Sequence, residues 1–259
     1  MEIGQRSQVT ISDMTDEGQG IGKAEGMAVF VKDAVIGDKV EIEFTKVKKN
    51  YAFAKITNML EASDLRIKPI CKYSGQCGGC ALADLKYEAQ LEIKEKQVKD
   101  KLIRLAGIAE PLVNPICGME DPFRYRNKAQ FPVSTGGIIT RKGGKIESLG
   151  EPAIGFFKAK SHEVVNCDDC MLQSEPAMAV AKAVRQYMKD EKVTAYDSKW
   201  GKGFMRHLIV KTSKHTGDVM VVIVANGKSI PNAEKLADMI DDAIFNVPTR
   251  EDGIEYNFK

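Results

Sequence analysis

Three cysteines lie within ten residues of this sequence, in the segment Cys71-Lys-Tyr-Ser-Gly-Gln-Cys77-Gly-Gly-Cys80. Thiols at this density are typical of a site that binds a soft metal or carries out redox chemistry, because such a site needs several sulfur atoms close together. Six cysteines in 259 residues are too few, and too unevenly placed, for a secreted disulfide framework. The segment therefore predicts thiol chemistry in a reducing compartment, and we expect a cytoplasmic location.

The fourth ligand of such a site is left open by the spacing of the cysteines. In one interpretation, Cys77 and Cys80 combine with Cys167 and Cys170 of the segment "CDDC" in a tetrahedral zinc site. In the other, Cys71, Cys77 and Cys80 supply three ligands and one distant cysteine completes an iron–sulfur cluster. A thioredoxin-like redox pair at Cys77 and Cys80 fits less well, because no strand-then-helix context surrounds it.

Composition and charge limit the possible classes of protein. The chain is 43% hydrophobic and 29% charged, which is typical of soluble globular proteins. It contains no apolar run of about 18 residues, and its first residues lack the pattern of a signal peptide, so we expect no membrane interaction. The formal net charge of +2 is close to neutral. Any contact with nucleic acid must therefore use a local basic surface.

Residues 1–58 predict a small β-barrel of the OB type. Short segments with β-branched and aromatic residues alternate with glycines, as expected for short strands joined by tight turns. The predicted strands are Ser7–Ile11, Met27–Val31, Val40–Val47 and Ala52–Ile56. The segment "GQGIGKAEG" lacks the spacing of a phosphate-binding loop, because only three residues separate Gly18 from Gly22. We interpret it as a glycine turn between two strands.

Residues 59–259 predict an α+β domain with antiparallel strand pairing. A first helix is expected after Asp84, ending before Gly107, with a buried stripe formed by Leu91, Val98, Leu102 and Leu105. A second helix follows Ser174 and a third follows Pro231, and each has apolar residues at helical spacing. The predicted strands are Lys128–Val133, Ala153–Phe157, Glu163–Val165, Phe204–Lys211 and Val219–Ala225, the last two forming a hairpin.

Longer stretches of the chain resemble one family of enzymes. The segment "CKYSGQCGGCALADLKYEAQLEIK" is similar to the cysteine signature of the bacterial 23S rRNA (uracil-5-)-methyltransferases, which are S-adenosylmethionine-dependent RNA m5U methyltransferases. The segments "FRYRNKAQFPV", "GFFKAKSHEVVNCDDCMLQ" and "MRHLIVKTSKHTGDVMVVIVAN" resemble its later blocks in the same order. Residues 1–58 resemble the TRAM domain, the small RNA-binding barrel that opens these enzymes. The resemblance implies methyl transfer to uracil C5, with 23S ribosomal RNA as the partner.

The same resemblance implies a ligand set for a metal centre. The family carries a 4Fe-4S cluster, and alignment of "SHEVVNCDDCMLQ" on the corresponding block places the fourth ligand before Met-Leu-Gln. The implied ligands are Cys71, Cys77, Cys80 and Cys170. Cys167 and Cys117 are then expected to be small buried hydrophobic residues.

Methyl transfer in this family takes place in a C-terminal Rossmann-like domain that the chain does not match. No cysteine follows Cys170, and no glycine-rich strand-to-helix turn follows Gly227. We therefore expect an α+β fold with domains at 1–58 and 59–259: an N-terminal OB-like TRAM barrel, then an antiparallel-sheet α+β domain that carries an iron–sulfur cluster, with the Rossmann-like methyltransferase domain absent.

Several functional expectations follow from that fold. We expect no catalytic residue and no S-adenosylmethionine site in this chain, a monomer, and no methylation by the chain alone. The alternative is a stand-alone RNA-binding module that is stabilised by zinc or by a cluster.

RNA-binding residues are predicted in two segments that mix aromatic and basic side chains, "KVKKNYAF" and "FRYRNK". Unpaired bases stack on aromatic rings or arginine planes, while Lys and Arg contact phosphates. The candidates are Lys46, Lys48, Lys49, Tyr51, Phe123, Arg124, Tyr125, Arg126 and Lys128. The competing interpretation is structural, because alternating aromatic residues often face a core and scattered lysines often only solvate a surface. His207 is expected to be structural and receives no catalytic role.

Overall fold

The chain forms two compact units in the computed structural model, which describes residues 1–109, 113–135, 140–142, 145–148, 151–197 and 201–258. The first unit comprises Met1–Gly75 and Cys80–Glu120, and the second comprises Gln76–Gly79 and Asp121–Lys259. These units differ from the predicted division between residues 58 and 59, which stays a prediction about domains.

A closed barrel of five strands makes up most of the first unit. The strands are β1 (Arg6–Met14), β2 (Gly20–Ala24), β3 (Met27–Lys32), β4 (Lys39–Val47) and β5 (Tyr51–Glu61). They close in the order β1-β2-β3-β5-β4, and β3 runs parallel to β5. Small and β-branched side chains fill the interior together with Phe44. Because Val29, Val31, Ala52 and Ala54 point inward, the residues that alternate with them face out.

The predicted glycine turn at "GQGIGKAEG" is wrong, because five of its residues form β2. A Cβ on Gly20 would lie 2.9 Å from side-chain atoms of Ala34 and Ile11. A Cβ on Gly22 would lie 3.0 Å from the carbonyl oxygen of Thr10. These glycines therefore allow β2 to approach its neighbours closely in the barrel wall.

The first helix, α1, spans Tyr87–Ala106 and ends as predicted at Gly107, whose φ is 67°. The helix begins after Asp84, as predicted, but Asp84 does not cap it: Lys86 precedes the helix, and Asp84 instead accepts a hydrogen bond from the Ser74 hydroxyl at 3.2 Å. A positive φ at the residue after a helix suits glycine, which has no Cβ to clash with the preceding turn.

The predicted buried stripe of α1 is also wrong. Ala89 and Ile93 are the buried helix residues and pack with Leu85, whereas Leu105 is 84% exposed and Val98 is 52% exposed. The helix has apolar residues on two faces, and helical periodicity cannot choose between them. The choice is made by Met14 and Val35, which complete the same buried group.

A mixed sheet covered by helices forms the second unit. Its strands are β6 (Lys128–Thr135), β9 (Pro152–Phe157), β10 (Val164–Asn166), β11 (Met205–Thr212), β12 (Asp218–Ala225) and β13 (Asn257–Phe258). A separate pair is formed by β7 (Thr140–Lys142) and β8 (Lys145–Ser148), and the helices are α2 (Glu175–Asp190) and α3 (Ala233–Phe245). The sheet order is β10-β9-β6-β11-β12-β13. The two predicted helices and the β11–β12 hairpin are confirmed.

The predicted fold class needs correction on two structural points. The sheet is not purely antiparallel, because β13 pairs in parallel with β12. Within the ranges described above, no group of three or more His, Cys, Asp or Glu side chains is placed to hold a metal ion. The described residues therefore give no support to the expected iron–sulfur cluster. None of the described helices is long and apolar enough to cross a membrane.

Candidate functional site

The outer face of the barrel carries three aromatic rings in mutual contact. The parallel register of β3 and β5 pairs Phe30 with Phe53 and Ala28 with Tyr51. The ring centroids lie 5.4 Å apart for Phe30 and Phe53, 5.8 Å for Phe30 and Tyr51, and 5.6 Å for Tyr51 and Phe53. We call these three residues the aromatic triad. Only Tyr51 is among the predicted RNA-binding residues. The structural interpretation, in which such aromatics face a core, is wrong here.

Lysines border the aromatic triad. In the strand register, Lys46 on β4 lies opposite Phe53. Lys23 on β2 lies opposite Ala28 on β3, and Ala28 in turn lies opposite Tyr51. Lys46, Lys48 and Lys49 are all exposed. Within the described part of the chain, no carboxylate forms an ion pair with any of these four lysines. The barrel face thus combines aromatic surface with cations that are available to an anionic ligand.

Arg124 of the second predicted segment is held by contacts within the protein. Its guanidinium donates two hydrogen bonds to the Asp169 carboxylate, at 2.9 and 3.1 Å, and one to the carbonyl oxygen of Cys170 at 2.6 Å. Hydrogen bonds from Arg124 are the main cause that holds the pKa of Asp169 below its ordinary value. The geometry gives Arg124 a structural role in fixing the loop at Cys170.

The other residues of this segment differ in accessibility. Tyr125 is 43% exposed and Lys128 is exposed at the start of β6. Arg126 donates a hydrogen bond to the carbonyl oxygen of Gly79 at 3.3 Å and lies 6.0 Å from the Tyr125 ring centroid. Phe123 is half-buried. Tyr125 and Lys128 are therefore the members of this segment that are most accessible to RNA.

A second arginine holds the other side of the loop Cys167-Asp-Asp-Cys170. Arg185 on α2 donates hydrogen bonds to the Asp168 carboxylate at 3.1 Å and to the carbonyl oxygens of Cys167 and Ile154, each at 2.9 Å. The loop is thus fixed between Arg185 and Arg124, one on each of its two aspartates. Sequence analysis missed this arrangement, although the paired acids inside "CDDC" are a visible signal for cationic partners.

Cys77 lies against Cys167 in the second unit. The Gly78 N–H donates to the carbonyl oxygen of Phe157 at 2.9 Å, which places this short segment along β9. A hydrogen bond with Cys167 is the main cause that lowers the pKa of Cys77 to about 6. The same hydrogen bond, together with burial, raises the pKa of Cys167. The two thiols therefore differ in acidity, with the pKa of Cys77 below its ordinary value and that of Cys167 above it.

The four predicted metal ligands belong to two different units. Cys71 and Cys80 lie in the first unit, whereas Cys77 and Cys170 lie in the second. The ligand set therefore stays a prediction. Cys167 is buried as predicted, at 2% exposure, but its thiol contacts Cys77. Cys117 is exposed, so its predicted burial is wrong.

His207 lies in the sheet, opposite Pro132 of β6 and Val224 of β12. Burial is the main cause that lowers its pKa, and the charge of Arg206 acts in the same direction. A neutral, half-buried imidazole in a strand is consistent with the structural role expected for it.

Comparison with known proteins identifies the barrel and relates the rest of the chain to RNA methyltransferases. Residues 1–57 match the TRAM domain family. The chain is 38% identical over 240 residues to an uncharacterized RNA methyltransferase of Halalkalibacterium halodurans, covering 93% of this chain and 50% of that protein. It is 38% identical over 257 residues to one of Caldanaerobacter subterraneus subsp. tengcongensis, covering 96% and 54%. The chain thus spans about half the length of these relatives and is homologous to them throughout.

One solved structure shares the fold. The Pyrococcus abyssi tRNA (uracil-54, C5)-methyltransferase, crystallised with S-adenosyl-L-homocysteine, aligns with a TM-score of 0.62 at 22% identity. The alignment covers 88% of this chain and 48% of that enzyme.

The TRAM barrel of the predicted fold class is confirmed by the match to residues 1–57. The rest of that prediction, an iron–sulfur domain with the methyltransferase domain missing, is wrong on these matches. They run over about nine-tenths of the chain, and none of them shows an iron–sulfur group. The prediction treated the lack of a motif after Cys170 as the lack of a domain, which does not follow.

Proposed function

We propose that this protein takes part in methylating RNA at C5 of uracil, with S-adenosylmethionine as the methyl donor, and that this chain contributes RNA recognition. The observation that carries the proposal is the outer face of the TRAM barrel, where the aromatic triad lies beside lysines such as Lys46. Aromatic rings beside exposed lysines are what a protein needs to stack bases and hold phosphates. The homology to RNA methyltransferases along nearly the whole chain supports it.

The chemistry explains why recognition has to be specific. C5 of uracil is a poor nucleophile until a thiolate adds to C6, so the target base must be presented unpaired and in one orientation. We assign no catalytic and no donor-binding residue in this chain. Its proposed role is to bind the RNA around the target: Lys46, Lys48, Lys49 and Tyr51 on the barrel, and Phe123, Tyr125, Arg126 and Lys128 in the second unit. Arg124 acts with them by fixing the loop at Cys170.

We propose 23S ribosomal RNA as the substrate, in the cytoplasm, with the protein acting as a monomer. Support for the ribosomal substrate is the resemblance of the segment Cys71–Cys80 to the signature of the 23S enzymes. The solved neighbour, by contrast, is named for a tRNA position. The two substrates are separated by the experiment below.

The experiment is nucleoside analysis of RNA from cells with and without the gene. We expect 5-methyluridine to disappear from 23S ribosomal RNA after deletion and to return when the gene is restored. Transfer RNA from the same cells is the control. Loss from transfer RNA alone would show that the methylation is right and the substrate wrong. Unchanged 5-methyluridine in both RNA classes would contradict the proposal.

The metal ligands are tested separately from the function. Cys71, Cys77, Cys80 and Cys170 stay the proposed set, with two of these cysteines in each unit. Metal analysis of protein purified without oxygen decides the matter. Metal that is lost in Cys71→Ser and retained in Cys167→Ser supports this set. Metal that is lost only in Cys167→Ser supports a zinc site with the second pair of cysteines, and a metal-free wild type contradicts both.

A further inference from the structure

We infer that the aromatic triad of the barrel is a stacking platform for unpaired RNA bases, with Lys23 and Lys46 flanking it as phosphate contacts. The inference rests on the proposed function and deepens it, because it names single-stranded RNA as the bound form and Phe30 and Phe53 as binding residues.

The triad is not required by the core of the barrel. The interior is already filled by Phe44 and by small and β-branched side chains, including Val29 and Val31 on either side of Phe30. Tyr51 is 39% exposed, and Phe30 and Phe53 are half-buried against each other. Three clustered aromatic rings on the outside of a small barrel form an apolar patch that gains from being covered.

The arrangement of the rings suits stacking. The Tyr51 ring is nearly perpendicular to both phenylalanine rings, at 81° to Phe30 and 85° to Phe53. The triad therefore presents ring faces in two directions, so that more than one base can stack on it. Stacking of this kind tolerates any base, because every base has a π-face.

The charges around the triad favour a nucleic acid over a protein as the occupant. Phe30 on β3, Phe53 on β5 and Lys46 on β4 lie side by side on three neighbouring strands. In the neighbouring row, Tyr51 on β5 lies beside Ala28 on β3, which lies beside Lys23 on β2. Two carboxylates near the triad are already ion-paired with lysines, Glu43 with Lys55 at 2.7 Å and Asp33 with Lys32 at 3.5 Å. What remains on the face is aromatic surface with cations at two of its edges, which complements bases and their phosphates.

Stacking also selects the single-stranded form. In an RNA duplex the base faces are covered by neighbouring base pairs, and only edges, sugars and phosphates are accessible. A platform of aromatic rings can therefore bind unpaired bases in loops, bulges or ends, whereas the lysines alone would bind both forms.

The test is fluorescence anisotropy with the full chain and two labelled RNAs, a 12-nucleotide oligouridine and a blunt-ended, fully paired RNA duplex of the same length. We expect Phe30→Leu and Phe53→Leu each to weaken oligouridine binding about 5-fold or more, the effect of losing a stacked base. Duplex binding should change less than about 2-fold. The matched control is Phe245→Leu, since this aromatic residue on α3 is 83% exposed and lies in the other unit.

The outcomes separate the inference from the proposed function. Unchanged oligouridine binding in both folded variants overturns the stacking platform, and so does an equal loss with the duplex. If either variant loses its cooperative thermal transition, Tyr51→Leu replaces it, because the exposed Tyr51 ring contributes least to the fold. A wild-type chain that binds neither RNA would contradict the inference and also RNA recognition by this chain, whereas loss of 5-methyluridine on gene deletion would still support the methylation.

Discussion

Asp38 is a carboxylate without exposed surface, and its partners explain why the first unit tolerates it. Arg66 donates hydrogen bonds to both carboxylate oxygens, at 2.7 to 3.1 Å, and the backbone N–H groups of Val35 and Ser63 donate two more. Burial acts to raise the pKa of Asp38, but these hydrogen bonds outweigh it, so the pKa lies below its ordinary value. The carboxylate therefore stabilises the folded state wherever it is ionised.

Removing the partner of Asp38 should destabilise the protein strongly. We expect Arg66→Ala to lower the free energy of unfolding by about 3 to 5 kcal/mol, because it leaves a buried charge without its ion pair. Urea denaturation measures the change. The control is Lys39→Ala, which removes an exposed ion pair with Glu61 and should cost less than about 1 kcal/mol. Equal effects of the two substitutions would contradict this account.

The same residue predicts a pH dependence of stability. Since the pKa of Asp38 is lower in the folded than in the unfolded state, its contribution is complete above the unfolded value of about 3.9. It is lost as the pH falls through the lower folded value. Asp38→Asn should therefore flatten the stability profile below about pH 4, measured by urea midpoints between pH 7 and pH 3. If the stability of Asp38→Asn fell as steeply with pH as that of the wild type, Asp38 would not be the origin of the pH dependence.

Arg124 offers a test that separates structure from RNA contact. Because it holds Asp169 and the carbonyl oxygen of Cys170, Arg124→Ala should release the loop and make Cys170 react faster with a maleimide. We expect at least a 3-fold rate increase, with mass spectrometry identifying the modified cysteine. Lys128→Ala, on an exposed residue of the same segment, is the matched control and should leave the rate unchanged. Weaker RNA binding by Arg124→Ala without faster labelling would favour direct RNA contact.

At the scale of elements, α1 shows which apolar face of a helix is buried. Ile93 packs with Leu85 and Ala89, while Leu105 is 84% exposed. Ile93→Ala should cost about 2 to 4 kcal/mol of unfolding free energy, from lost burial and the cavity left behind. Leu105→Ala, chemically the same kind of truncation, should cost less than about 0.5 kcal/mol. If urea denaturation showed a larger loss of unfolding free energy for Leu105→Ala than for Ile93→Ala, the result would support the buried stripe predicted from periodicity.

For the whole molecule, the small net charge of +2 means that the proposed RNA binding would depend on the local lysines of the barrel face. Each phosphate contact on single-stranded RNA contributes about 0.7 to the slope of log K against log salt concentration. Lys46→Ala should therefore reduce the slope for oligouridine by about that amount. The control is Lys235→Ala on α3, which should leave the slope unchanged. The ammonium group of Lys235 is already ion-paired with the Glu191 carboxylate at 2.7 Å. An unchanged slope in Lys46→Ala would exclude this lysine from the interface.

The sequence by itself determined the features that depend on a few neighbouring residues. The helix α2, the hairpin of β11 and β12, and the end of α1 at Gly107 follow from local periodicity and from the backbone freedom of glycine. A small barrel of the OB type was likewise predicted from short strands and glycines, and its resemblance to the TRAM domain is confirmed by the match to residues 1–57.

Only the tertiary structure decided which side of each element is used, because that choice depends on residues far away in the chain. Closing the barrel places Val29 and Val31 inside and so turns Phe30 outward beside Phe53. Folding of the second unit brings Arg124 to Asp169, 45 residues away, and Cys77 to Cys167. Local patterns carry no information about such pairings, since long-range contacts form only where packing brings the elements together.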